Sequence, residues 1–275
     1  MNRVATQGVV FGLSAVAWLI ATPAVAQRSQ EWEWCGADST PPDQRIAACT
    51  AIVGSRDEPP ANVAMAYCNR GIAYQRKGDL ARAMADFNEA IRLDPSSSRT
   101  YVYRGHSSYG QGDMDRAMAD YERAIELDPK SPQAYVGRGL TYRVKGDLER
   151  ALANYDDAIR LDPQYALAFA HRGSLHEDKK DYGRATSDYN EAIRLDPKNA
   201  FALRNRGHIH YILKDYDRAI ADLTEAIRLD SSKAFLFHNR SLAFYGKRDT
   251  DRAIADCSAA VRLDSNLAGR CPSKP

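Results

Sequence analysis

The phrase GDLARAMADFNEAIRLDP at residues 78–95 returns as GDMDRAMADYERAIELDP at 112–129 and as GDLERALANYDDAIRLDP at 146–163. Three looser copies follow: KDYGRATSDYNEAIRLDP, KDYDRAIADLTEAIRLDS and RDTDRAIADCSAAVRLDS. Every step is 34 residues, with no insertion or deletion. A fixed period constrains the fold more than any bulk property, because each unit must bury its apolar face against its neighbours. It overrides the one or two compact domains that a length of 275 residues would otherwise suggest.

Within each unit, apolar and small residues recur at steps of three and four, which places them on one stripe of a helix. In the first unit Tyr67, Gly71 and Tyr74 form one stripe, and Ala83, Phe87, Ala90 and Ile91 form a second. Lys77-Gly78-Asp79 lies between them and predicts a turn. Gly78 tolerates a left-handed backbone, and Asp79 can cap the next helix. Asp94-Pro95 stops that helix, since proline lacks an amide donor and restricts the residue before it. The unit is a helical hairpin, and its Gly and Pro stops exclude an unbroken coiled coil. Close crossing requires small residues, supplied by Gly71, Gly105, Gly139, Gly173 and Gly207 in the first helices and by Ala83, Ala117, Ala151, Ala185, Ala219 and Ala253 in the second. The large residues between them, Phe87, Tyr121, Tyr155 and Tyr189 among them, each stabilise the stack by about 1.5–3 kcal/mol on burial.

These residues closely resemble the tetratricopeptide repeat family over 64–267. The first unit meets the family motif with Tyr67, Gly71, Tyr74, Ala83, Phe87, Ala90 and Pro95. Ser108, His176 and His210 stand where the first-helix aromatic belongs, Ser231 and Ser265 replace Pro, and the sixth unit has Ser241 for Gly and Cys257 for the second aromatic. The resemblance implies an all-α fold, a right-handed α-solenoid of six 34-residue helical hairpins. DQRIAACTAIV at 43–53 matches DRAIADCSAAV at 251–261 and reads as a lone second helix, a half-repeat capping the first unit. The expected organisation is a leader over 1–26, a linker and half-repeat cap over 27–63, repeats over 64–267 and a tail over 268–275.

Where the family often has Leu before the Gly, every unit has Arg: Arg70, Arg104, Arg138, Arg172, Arg206 and Arg240. A second row, Arg82, Arg116, Arg150, Arg184, Arg218 and Arg252, is followed four residues later by an acid in every unit but the third, which has Asn154. That spacing lets the pair meet on one helix. Both rows are expected to form structural pairs between helices; an arginine ladder that holds a ligand is the alternative.

Arg3 precedes VVFGLSAVAWLIATPAVA, an uncharged run ending in the small-x-small pattern Ala24-Val25-Ala26. This is the layout of a secretory signal peptide. Its Gly, Ser, Thr and Pro argue against a membrane span, with an uncleaved anchor as the alternative. The mature chain is therefore expected to be periplasmic or secreted, where disulfides persist. Among the five cysteines, Cys49 and Cys257 occupy equivalent helix positions, and each has another cysteine 14 residues outward. Pairs Cys35–Cys49 and Cys257–Cys271 would staple an irregular terminal strand over each end helix and leave Cys68 over; Cys49–Cys68 is the rival pairing. Closing a loop of about 15 residues stabilises by roughly 3 kcal/mol.

Basic and acidic side chains, 38 and 36, are interleaved, and a net charge of +2 gives no reason to expect nucleic acid. The sequence has no C-x-x-C, H-E-x-x-H, G-x-S-x-G or glycine-rich phosphate loop, so no metal, cofactor or catalytic residue is expected. The family resemblance implies instead a concave groove lined by first helices, made for a protein or peptide. Its lining positions fall here on Arg99, His106, Tyr109, Arg143, Glu177, Arg204, His208, Tyr211, His238 and Tyr245. Some members clamp a terminal carboxylate with Lys and Asn; Cys68 and Ile72 stand at those places, so that mode is not expected. The chain reads as a monomeric, non-catalytic interaction scaffold without membrane contact once the leader is removed. The alternative is a structural role through self-association of exposed helix faces.

Overall fold

The computed structural model describes residues 23–271, and every regular element among them is helical. The leader expected over 1–26 lies outside the described residues, except for its last four, which open the first helix. The helices follow in consecutive pairs: α1 (Pro23–Gly36) with α2 (Pro42–Gly54), α3 (Pro60–Arg76) with α4 (Leu80–Leu93), and α5 (Ser98–Gly110) with α6 (Met114–Leu127). Then come α7 (Pro132–Val144) with α8 (Leu148–Leu161), α9 (Ala166–Asp178) with α10 (Tyr182–Leu195), α11 (Ala200–Ile212) with α12 (Tyr216–Leu229), and α13 (Ala234–Gly246) with α14 (Thr250–Leu263). A 3₁₀ turn, Ser265–Arg270, ends the described chain.

The turn inside each hairpin forms as its residues dictate. Gly78, Gly112 and Gly146 take φ of 78°, 81° and 84°, which lets the amide of Asp79 return to the carbonyl of Tyr74 at 3.0 Å. Lys180, Lys214 and Arg248 occupy the same left-handed position in the later units. The aspartates that follow, from Asp79 to Asp249, each accept the amide hydrogen of the arginine three residues on.

In the four hairpins from α3–α4 to α9–α10 a glycine of the first helix lies flat against a buried ring of the second. A Cβ at Gly71 would stand 2.6 Å from the Phe87 ring, and one at Gly139 would stand 2.7 Å from that of Tyr155. Gly137, which the motif does not contain, performs the same service for Tyr121 from the next unit. Phe87, Tyr121, Tyr155, Tyr189 and Leu223 are fully buried as a result.

The first arginine row is the polar spine of the stack. Arg70, Arg104, Arg172, Arg206 and Arg240 each grip both carboxylate oxygens of the acid 16 residues later, Asp86, Asp120, Asp188, Asp222 and Asp256. A further donor of each reaches back to the preceding second helix, as Arg172 does to Asp156 at 2.7 Å. The second row departs from its expected pairing. Arg82, Arg150, Arg184, Arg218 and Arg252 bond the capping aspartate three residues before them, not the acid four residues after. Helical side chains lean toward the N-terminus, so these arginines turn back to the cap and leave the acid free for the first row. These five therefore act within their own hairpin's second helix, while Arg116 reaches across to Asn88 of α4 at 3.2 Å.

The front end also departs from expectation. Residues 27–36 belong to helix α1, which packs on α2 and reaches α3, so the cap is a second hairpin and not a lone helix under an irregular strand. Arg45 of α2 explains the arrangement. It is fully buried and donates to the carbonyl of Cys35, to Asp38 and to Asn69 of α3. Cys35 and Cys49 stand at disulfide distance with Cα atoms 4.9 Å apart, and so do Cys257 and Cys271 with Cα atoms 5.8 Å apart. Cys68 is buried apart from both pairs, and burial pushes its thiol pKa up. Among the described residues no helix is long and apolar enough to cross a membrane.

Candidate functional site: the concave surface

First helices of successive pairs touch one another, α5 on α7, α7 on α9, α9 on α11 and α11 on α13, whereas second helices make no comparable contact. That crowding bends the stack and puts the first helices on its inner side. Shallow concavities remain where they meet. One of about 480 Å³ is bounded by Arg99, Val102, Tyr103 and His106 of α5, Gln133 of α7, and Tyr165 and Leu167 at the start of α9. A smaller one, of about 70 Å³, lies among His208 and Tyr211 of α11 and Asn239 and Leu242 of α13.

The residues expected along the groove fall into three sets. Arg99 and His106 share the first concavity, where the Arg99 guanidinium rests 5.5 Å over the Tyr103 ring. His106 is half-buried with Nδ1 2.7 Å from the Tyr121 hydroxyl, and burial holds its pKa down to about 4. Arg143, Glu177 and His208 lock the centre. Arg143 donates to Asp178 at 2.7 Å, while Glu177 meets His208 Nδ1 at 2.9 Å and accepts the Tyr189 hydroxyl at 2.9 Å. Toward the end of the stack, Arg204 lies between the Phe201 and Phe235 rings, 5.2 and 5.4 Å from their centroids, with its Nε given to Asn205 at 2.9 Å. Tyr211 lines the second concavity beside His208. Tyr245 is exposed on α13, His238 is half-buried there, and Tyr109 is half-buried on α5.

Three rings in this surface were not expected. His171 sits between Tyr155 and Phe201, centroids 6.2 and 5.4 Å away, and burial holds its pKa down to about 4. Tyr103 and Tyr165 were missed as lining residues; the only signal for Tyr103 was its place one helical turn after Arg99, where such a pair can stack. The two histidines that replace motif aromatics, His176 and His210, are buried beside Asp188 and Asp222 at 3.9 and 3.8 Å, on the far side of their helices from the groove. Among the described residues no group of side chains is arranged to hold a metal ion. What the surface offers is contact chemistry: stacked guanidinium groups, tyrosine hydroxyls and exposed aliphatic and aromatic edges.

A curved stack of helical hairpins with an inner surface of this kind defines an α-solenoid. Two family models for the tetratricopeptide repeat match the sequence, one over 103–166 and 136–200, the other over 64–97 and 200–233. The chain belongs to the tetratricopeptide repeat family, whose fold is typical of protein–protein interaction scaffolds. Among curated proteins the sequence has no significant match.

The fold is shared with solved structures at low identity. A chain of the APC/C hetero-tetramer Cut9-Hcn1 superposes with a TM-score of 0.72 at 20% identity over 88% of this chain and 51% of that one. The present chain thus spans about half the length of that relative. PilF of Pseudomonas aeruginosa gives a TM-score of 0.65 at 17% identity, covering 76% of this chain and 95% of its own. A tetratricopeptide repeat protein from Parabacteroides merdae gives 0.62 at 18% identity, covering 87% and 94%. Likenesses at these identities establish the fold alone.

Proposed function

We propose that this protein is a non-catalytic scaffold that holds an extended peptide, or an extended segment of a partner protein, along its concave surface. One observation carries the reading. Most arginines are held in structural pairs, those of the first row included, yet the inner helices present Arg99, Arg204, Tyr211 and Tyr245 with surface to spare. Arg and Tyr are the residue types that anchor protein interfaces. The scaffold works as a monomer, outside the cytoplasm after removal of residues 1–26, with Cys35–Cys49 and Cys257–Cys271 oxidised and Cys68 reduced. Leader, cap, repeats and tail keep the bounds read from the sequence, except that the cap is a full hairpin. Capture from an envelope extract on immobilised protein tests the reading. A partner retained by the wild type should be lost by Tyr211→Ala; equal retention by that variant contradicts binding in the groove.

A further inference from the structure

Most arginines among the described residues pair with a carboxylate, and of those that do not, two line the groove. Five arginines of the first row are closed by acids on the second helices and five of the second row by capping aspartates, while Arg138 and Arg116 meet the neutral Asn154 and Asn88. Arg99 and Arg204 reach no carboxylate within 4 Å among the described residues. Each is instead steadied by rings: Arg99 over Tyr103, and Arg204 between Phe201 and Phe235. Ring stacking fixes the plane of a guanidinium while leaving its outer edge able to take a carboxylate through two parallel bonds.

The acids of the same surface are already engaged. Glu177 is held by His208 and Tyr189, and Asp178 by Arg143. Asp128 borders the Arg99 concavity, but its Oδ1 accepts the amide of Lys130 at 3.0 Å. The groove therefore presents two unpaired cations in separate units, against one carboxylate, Asp128, that no cation pairs with. Apolar edges accompany those cations: Leu167 is 44% exposed and Phe235 is 42% exposed.

Resting on the groove reading above, we infer that the occupant is an acidic segment of protein, its carboxylates taken by Arg99 and Arg204 and its interspersed apolar side chains by Leu167, Phe201 and Phe235. Two separate cations without a continuous basic stripe, beside the aliphatic Leu167, favour a polypeptide over a nucleic acid.

Fluorescence anisotropy on the full chain tests this with labelled peptides of alternating Glu-Leu-Ser, Gln-Leu-Ser and Lys-Leu-Ser triplets, and with an oligouridylate. The Glu peptide should bind, about ten-fold tighter than the Gln peptide and with an affinity that falls as salt is added. The Lys peptide should not bind. Arg99→Gln and Arg204→Gln should each weaken the Glu peptide several-fold, while Arg262→Gln, on the outer side of α14, should not. Arg99 is exposed, so its loss leaves the fold intact, and the peptide charge series needs no variant. Equal binding of Glu and Gln peptides, both still weakened by Tyr211→Ala, overturns the acidic preference and leaves the groove standing. Binding of no peptide, or binding indifferent to Tyr211→Ala, overturns both. Tighter binding of the oligouridylate than of the Glu peptide also overturns the inference.

Discussion

Arg172 is held by three helices at once. It donates to both oxygens of Asp188 on α10 and to Asp156 on α8 while lying 5.6 Å over the Phe169 ring of its own helix, and these carboxylates raise its pKa. Its counterpart Arg138 finds only the neutral Asn154, at 2.8 Å. Removing one partner of a buried ion pair strands the other charge, so Arg172→Met should cost roughly 3 kcal/mol, whereas Arg138→Met should cost about 1 kcal/mol. Urea unfolding of the two variants measures the contrast; equal losses would mean that the spine acts by packing and not by charge. The left-handed positions supply a second test at this scale. Lys214 adopts φ 61° where earlier units have glycine, and Lys214→Gly should stabilise by about 1 kcal/mol in the same assay. Burial also makes stability depend on pH. His106 and His171 titrate near 4 in the folded chain against about 6.5 unfolded. The unfolded state therefore binds more protons between those values, and stability that is full above about pH 6.5 should fall as pH drops toward 4. His106→Gln should flatten part of that slope, and an unchanged slope would contradict a neutral, buried His106.

At the scale of the element, the hairpins were legible because each rule points the same way: helical stripes, a Gly or Asp at each stop, and glycine opposite an aromatic ring. What escaped was whatever a repeat does not repeat. Residues 27–42 match no unit and read as a linker, yet α1 forms because Trp32 packs into the cluster of Cys35, Cys49 and Ile52 and donates its indole hydrogen to Glu58. Arg45 looks like one more surface arginine in sequence, since nothing in a linear string reveals the carbonyl that will meet it. The pairing of Asp86 was misassigned for a related reason. Spacing along one helix is visible in the sequence, but the partner 16 residues away across the crossing is fixed only by how the hairpin closes. Groove positions were legible as positions; Tyr103 and Phe201 lie within a turn of Arg99 and Arg204 on the same helices, whereas Phe235 reaches Arg204 only from the next unit. The terminal cysteine pairs give the prediction at this scale. Closing each loop of about 15 residues contributes roughly 3 kcal/mol, and solenoid stability is a sum of local terms. Reduction should therefore raise hydrogen exchange in α1, α2 and α14 first and leave α7 to α10 protected. Uniform loss along the chain would contradict terminal stapling.

At the scale of the whole molecule, the solenoid separates its labour by side. Second helices carry the caps and the acids that bind the units together, and first helices carry the side chains that line the concave surface. Site-specific photo-crosslinking in the native host separates these sides directly. A photoreactive phenylalanine analogue in place of Tyr211 or Tyr245 should form adducts with one shared partner, while the same analogue at Arg228 on the outer face of α12 should form none. Adducts from Arg228 alone, or equally from both sides, would contradict binding along the concave surface.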